Sequence, residues 1–282
     1  MSTQLTPEQL AEYHERGFIV LPAVFNDEEV ARLRGDANFI LELILNSTIY
    51  HRRQSRRLDM CFDETGNHMV RKVQPVKDLA LGIAEASADD RLLDPMRQIM
   101  GDEPILMEEK LNYKQPLNQV VESVGAARAA SMFPIHNDWA YYADQDYPQS
   151  VLSSAISLDD CGPESGPIRV WPGTHKTHLK HEQVDIGLEV PSDLVDHAGG
   201  EDILAPAGSV MIFSSLVVHN SRNNVSGKPR RMMIYSHYPK AANMGHDVRN
   251  GPGRLHESPY EMAYMRAKAN GEFEDAFTAP TN

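Results

Sequence analysis

Cysteine is scarce, with Cys61 and Cys161 the two in 282 residues. Two thiols cannot build the disulfide framework of a small secreted fold, so a reducing compartment is the expectation. Basic charge is in the minority, 27 Lys and Arg against 40 Asp and Glu, for a formal net charge of −13. A chain that acidic is not drawn to nucleic acid or to anionic membrane surfaces. No apolar run approaches the roughly 20 residues that cross a bilayer. The opening Met1-Ser2-Thr3-Gln4-Leu5 has neither the basic nor the apolar region of a secretory leader. These features together predict a soluble cytoplasmic protein with no nucleic-acid partner and no membrane partner. A monomer and a homodimer fit equally well.

The residues that are present predict one domain over 1–282, since neither a repeat nor a low-complexity linker divides the chain. Thr6-Pro7-Glu8-Gln9 reads as a capping box that starts a helix running to Arg16, and Gly17 ends it. Phe18-Ile19-Val20-Leu21 follows as an apolar strand. Asn26 or Asp27 caps a longer helix with apolar Val30, Leu33, Ala37, Ile40, Leu41 and Ile44 at steps of three and four. Another helix opens at Asp89 or Asp90 and stops at Gly101. The N-terminal part, about 1–103, is thus read as helical.

From residue 104 short strand-like runs separated by Gly, Pro, Asn and Asp take over: Ile105–Tyr113, Met132–Asp138, Val151–Leu158, Pro167–Trp171, Ser209–Phe213, Leu216–His219 and Arg230–Tyr238. Such a run of strands predicts a mainly β core over about 104–240, a sandwich or barrel flanked by helices. The segment 116–131, rich in small residues, is a candidate lid. The tail from Glu257 to Phe277 reads as a helix.

His136 and Asp138 carry the chemistry. In a strand, a spacing of two puts both side chains on one face, with Cα atoms roughly 6.5–7 Å apart. An imidazole and a carboxylate side by side are two thirds of the facial triad that holds non-haem iron. A solvated strand end would show the same pattern. A third ligand has to come from another strand. His219 ends an apolar run where a buried imidazole needs a partner, either a metal or a backbone carbonyl. His175, His178 and His181 fall in a polar stretch and read as loop residues, although their spacing of three also resembles a second metal site.

Eleven residues beyond His219 stands Arg230. An inward arginine there has the geometry to hold a dicarboxylate by its far end, and Ser221 is placed to help; an arginine at a strand end in solvent is the other reading. Arg231 alternates to the opposite face. Along Met107–Lys114, one face carries Glu108, Lys110, Asn112 and Lys114, the face expected to meet a site if any of the four is buried. Arg57 and Arg71, within a basic stretch, fit either a solvated face or a hold on an anionic substrate. Trp139, Tyr141 and Tyr142 fit a pocket wall or ordinary packing.

Pro134-Ile135-His136-Asn137-Asp138, Gly166-Pro167-Ile168-Arg169-Val170-Trp171-Pro172-Gly173-Thr174-His175, Gly208-Ser209, His219-Asn220-Ser221 and Arg230 together resemble the phytanoyl-CoA dioxygenase family. The resemblance extends over nearly the whole chain. It implies a double-stranded β-helix (a jelly roll, cupin-like) with helices outside, Fe(II) held by His136, Asp138 and His219, and 2-oxoglutarate anchored by Arg230 and Ser221. Lys114 and Asn112 become neighbours of the co-substrate or substrate, and Trp139, Tyr141, Arg57 and Arg71 substrate candidates. The family's chemistry consumes O2 and releases succinate and CO2, which implies a small-molecule substrate hydroxylated at an unactivated C–H bond. Its halogenases replace the carboxylate by a small residue, so Asp138 favours hydroxylation or desaturation over chlorination. An acyl-CoA is among the family's substrates, and a non-oxidative cupin-like binder of metal or sugar is the alternative reading.

Overall fold

Thr6 and Gln9 close the first turn of α1 (Pro7–Arg16) on each other, the hydroxyl accepting from Gln9 N at 3.3 Å and the amide oxygen from Thr6 N at 2.9 Å. Gly17 ends the helix in the left-handed region (φ 86°), and the His175 ring lies where a Cβ at this position would sit. The computed structural model describes residues 3–122, 124–128, 133–245, 247 and 258–280. After β1 (Phe18–Leu21), Asn26 caps α2 (Asp27–His51), which buries the predicted face Val30, Leu33, Ala37, Ile40, Leu41 and Ile44. A hairpin, β2 (Leu58–Phe62) and β3 (His68–Val73), precedes the short α3 (Leu81–Ala86) and α4 (Asp90–Met100), which Asp89 caps.

The long strand β4 (Pro104–Pro116) is followed by β5 (Ala127–Arg128), β6 (Leu152–Ser157), β7 (Ile168–Trp171), the small hairpin β8 (Glu182–Val184) and β9 (Gly187–Glu189), then β10 (Glu201–Ile203), β11 (Val210–Ser214), β12 (Val218–Ser221) and β13 (Met232–Pro239). The major sheet runs β1-β11-β6-β13-β4-β3-β2-β5, and a minor sheet runs β10-β7-β12. The two sheets form an open jelly roll, antiparallel except where β5 joins β2. Phe18, Ala155, Met211, Phe213, Met232 and Ile234 of the major sheet meet Ile168 and Val170 of the minor one. The opposite face of the major sheet packs on α2 and α3, where Tyr113 Oη donates to Ala37 O (2.7 Å) and Tyr235 Oη to Ile83 O (2.6 Å). None of the helices is long and apolar enough to cross a membrane, among the described residues.

Several expectations need correction. β1, β2 and β3 join the major sheet, so the part before residue 103 is not purely helical. No strand spans Phe133–Asp138; Met132 lies outside the described residues. His136 makes a single bridge to His219, and Asp138 opens a 3-10 turn (Asp138–Tyr141) because Asn137 Oδ1 accepts Ala140 N at 3.1 Å and bends the chain. The tail helix is α5 (Ser258–Ala269), closed where Gly271 takes φ 73°, and Glu257 lies outside the described residues. Residues 123 and 129–131 of the candidate lid are likewise outside them. Its Leu117 and Val121 are buried in the core, and Val121 N donates to His68 Nδ1 at 2.7 Å. None of its described residues lines the cavity between the sheets.

Candidate metal centre

His136 and His219 face each other across the edge of the minor sheet, His136 N donating to His219 O at 2.9 Å and His219 N to His136 O at 2.7 Å. Their Nδ1 atoms lie against carbonyls, Pro134 O at 2.7 Å and Val217 O at 3.0 Å. A carbonyl only accepts, so both Nδ1 atoms carry the proton and both Nε2 lone pairs point away from the backbone, as metal ligation requires. Asp138 Oδ1 stands 3.5 Å from His136 Nε2 and 3.7 Å from His219 Nε2. The three ligand atoms lie within 4.8 Å of one another. Burial opposes a charge on Asp138, but Lys110, His219 and His136 outweigh it and hold the carboxyl well below the usual range. Burial pushes His219 down to about 4, with Asp138 opposing, so the imidazole is neutral and ready to ligate. Two imidazoles and an ionised carboxylate on one side of an opening are a donor set that fits non-haem Fe(II) and leaves positions for other ligands.

Asn137, between the ligands, is fully buried. Its N–H donates to His181 Nε2 at 3.0 Å, while His181 Nδ1 meets Leu179 O at 2.8 Å. His178 stacks on His181 with ring centres 5.4 Å apart. These histidines, first read as loop residues or a second metal site, therefore brace the ligand loop, and both ring nitrogens of His181 are taken. His175 stands apart from them, its Nε2 3.3 Å from His14 O.

A cavity of about 280 Å³ opens from the triad between the sheets. Arg230 lines it, 2% exposed, with Nε and Nη2 lacking any hydrogen-bond partner among the described residues. A buried guanidinium with open donors calls for an anion. Ser221, two residues beyond His219 on β12, lines the same cavity. Lys114 does not line it. It is buried behind, at φ 48°, where Nζ donates to Gly166 O at 2.8 Å and to Arg222 O. Burial and the nearby Arg230 push its pKa well down. Unpartnered donors on Arg230, with the Lys114 amine packed behind, fit the far carboxylate of 2-oxoglutarate. Arg231 turns the other way, as alternation predicts. It is buried rather than solvated, with Asp159 Oδ1 at 2.6 Å and Asn38 Oδ1 at 2.6 Å.

Of the remaining candidates, Asn112, Arg71 and Tyr141 line the cavity, and so do Glu108 and Lys110 from the polar face of β4. Tyr141 stands edge-on to His136 with ring centres 5.5 Å apart, and its oxygen accepts Leu188 N at 2.9 Å, tying the β8–β9 hairpin to the site. Arg71 meets Asp59 at 3.3 Å and lies over the Phe133 ring. Trp139 and Arg57 are elsewhere. Trp139 donates its indole N–H to Tyr147 O at 3.1 Å in a separate aromatic cluster. Arg57 is consumed by Asp78, at 2.8 and 2.6 Å, and by Pro75 O at 2.6 Å, so its expected substrate contact is corrected to a structural one. Lys72, Phe133 and Ile186 line the cavity without having been singled out. Lys72 was visible only as one member of a basic run, and Ile186 sits at a hairpin tip that has no local signature.

The phytanoyl-CoA dioxygenase (PhyH) family model matches residues 13–232. Ectoine dioxygenase of Halomonas elongata is 27% identical over 244 residues, 80% of this chain and 68% of that protein. Methylphosphonate hydroxylase of Gimesia maris is 26% identical over 239 residues, 84% of this chain and 82% of that protein. The crystal structure of EctD from S. alaskensis with 2-oxoglutarate and 5-hydroxyectoine superposes with a TM-score of 0.63 at 23% identity, over 84% of this chain and 77% of that one, a likeness of fold. The family match contains both histidines, the aspartate and Arg230, and the chain belongs to the phytanoyl-CoA dioxygenase family, as a non-haem iron dioxygenase that uses 2-oxoglutarate.

Proposed function

We propose that the protein hydroxylates an unactivated C–H bond of a small soluble metabolite, releasing succinate and CO2 from 2-oxoglutarate. The observation that carries this reading is Arg230, whose open donors face the same cavity as the His136–Asp138–His219 triad. In it, those three residues hold the metal, while Arg230 and Ser221 hold the far carboxylate of 2-oxoglutarate with Lys114 behind. Bound iron and 2-oxoglutarate supply the oxidising power, drawn from O2. The chain's part is to orient the reactants and exclude water. Asp138 fills the place a halide would need, which supports hydroxylation over chlorination.

The cavity, about 280 Å³, supports a small substrate rather than an acyl-CoA, and relatives named for ectoine, methylphosphonate and L-proline act on small molecules. Cys61 and Cys161 are both buried free thiols, which supports a cytoplasmic setting. The enzymatic family leaves the non-oxidative binder without support. The test is spectroscopic and chemical. Under anaerobic conditions Fe(II) and 2-oxoglutarate should give a weak visible charge-transfer band, and air should then release succinate. A folded protein with neither signal would overturn the reading.

A further inference from the structure

The ionic groups lining the cavity separate into those with partners and those without. Glu108 is saturated: Tyr142 Oη donates to it at 2.7 Å, Gln74 Nε2 at 3.0 Å, and Lys110 Nζ at 3.2 Å. Asp59 is taken by Arg71, and Asp138 belongs to the metal. The acids are therefore committed, and an amine entering the cavity finds no free carboxylate among the described residues. Arg230 is reserved for 2-oxoglutarate in the reading above. One lining cation is left over.

That cation is Lys72. Its side chain makes no hydrogen bond or ion pair with any described residue, although it lines the cavity. It stands opposite Asn112 in the β3–β4 register, and Asn112 carries a buried amide oxygen without a partner. Burial and the neighbouring Lys110 and Arg71 destabilise the ammonium, and Asp59 and Glu108 offset this only in part. A half-buried cation beside an amide whose NH2 group can donate into the same cavity is half of an anion site.

We propose that Lys72 is the substrate-specificity residue and that the substrate is a small oxyacid, its anionic group docked on Lys72 and the Asn112 amide. The assignment rests on the oxygenase reading. With the metal dication and the 2-oxoglutarate dianion in place, their charges cancel, and the lining side chains retain a single excess positive charge at Lys72. A monoanion neutralises the cavity. A neutral or cationic substrate leaves the half-buried ammonium without a counter-charge.

The probes are short-chain carboxylic acids and alkylphosphonic acids, each paired with its neutral methyl ester. Binding is measured by calorimetry on anaerobic protein saturated with Fe(II) and 2-oxoglutarate, so that Arg230 is already occupied. Substrate-dependent succinate release is measured on the same panel. Acids should bind and stimulate while their esters do not, and the carboxylate and phosphonate arms distinguish which oxyanion is preferred. Lys72→Met should weaken the best acid by about thirtyfold or more, and Lys72→Arg should restore most of it. The thermal midpoint of Lys72→Met should not fall, since no partner is lost, whereas a merely structural lysine would lower it. Esters binding as well as acids, no acid binding, or unchanged affinity in Lys72→Met would each overturn the assignment. Loss of the visible band and of succinate formation in the wild type would instead strike the oxygenase reading.

Discussion

His136 and His219 exchange both backbone hydrogen bonds, at 2.9 and 2.7 Å, so two residues of the triad are held as a single antiparallel bridge at the end of β12. The spacing of their rings is set by β-sheet geometry, before any ion arrives. Metal affinity here draws on a framework that the apolar core already stabilises.

Chelation should therefore leave the fold intact. Protein stripped of metal is expected to keep its far-UV circular dichroism and a cooperative thermal transition. Adding Fe(II) or a redox-inert surrogate at about a hundred times its dissociation constant should raise stability by about 2.7 kcal/mol. Collapse of secondary structure on chelation would show that the metal, not the backbone bridge, builds the site.

The brace at Asn137 makes the metal-free protein acid-sensitive. Burial pushes His181 down to about 4 from an ordinary 6.5, and its Nε2 must stay unprotonated to accept the Asn137 N–H. The unfolded chain takes up a proton as pH falls below about 6.5 while the folded chain resists until about 4. This contribution is thus complete above 6.5 and is lost as pH falls through that window. Thermal midpoints measured across the acid range should decline from about pH 6.5 downward, and less steeply in His181→Gln, whose amide oxygen can still accept the N–H.

Arg230 should govern 2-oxoglutarate and not metal. Replacing it by Gln removes the charge and the fork, and the KM for 2-oxoglutarate should rise about thirtyfold or more. Metal affinity, measured by calorimetry on protein without co-substrate, should change less than threefold, roughly the scatter expected for a distant uncoupled site. A parallel loss of both would place the arginine in the metal site instead.

Arg57 should matter to the fold alone. Arg57→Met leaves Asp78 without its bidentate partner and Pro75 O without a donor, a loss of about 3 kcal/mol for a buried pair. Denaturant midpoints should fall, while the KM for 2-oxoglutarate per folded molecule stays unchanged. A selective rise in KM at unaltered stability would restore Arg57 to the site.

The sequence made some of this legible and hid the rest for definable reasons. Alternation along β4 placed Glu108, Lys110 and Asn112 on one face, because a strand's period is local. The same rule separated Arg230 from Arg231, although burial of the second depended on Asp159 and Asn38, both distant in the chain. His136 and Asp138 were visible as a pair, yet their geometry comes from an Asn137 cap and a 3-10 turn rather than from a strand face. Arg57 misled because its composition-level signal, one cation among many, says nothing of Asp78. Ile186 and Lys72 reach the cavity by way of a hairpin tip and an irregular β3–β4 register, and neither writes a period into the sequence.

The bridge between His136 and His219 has a kinetic meaning as well. It joins segments separated by β6 through β11, so closing it carries the entropic cost of a long loop. A partly folded chain carries all three ligands but holds them apart. Metal binding by all three ligands at once should therefore follow folding rather than lead it.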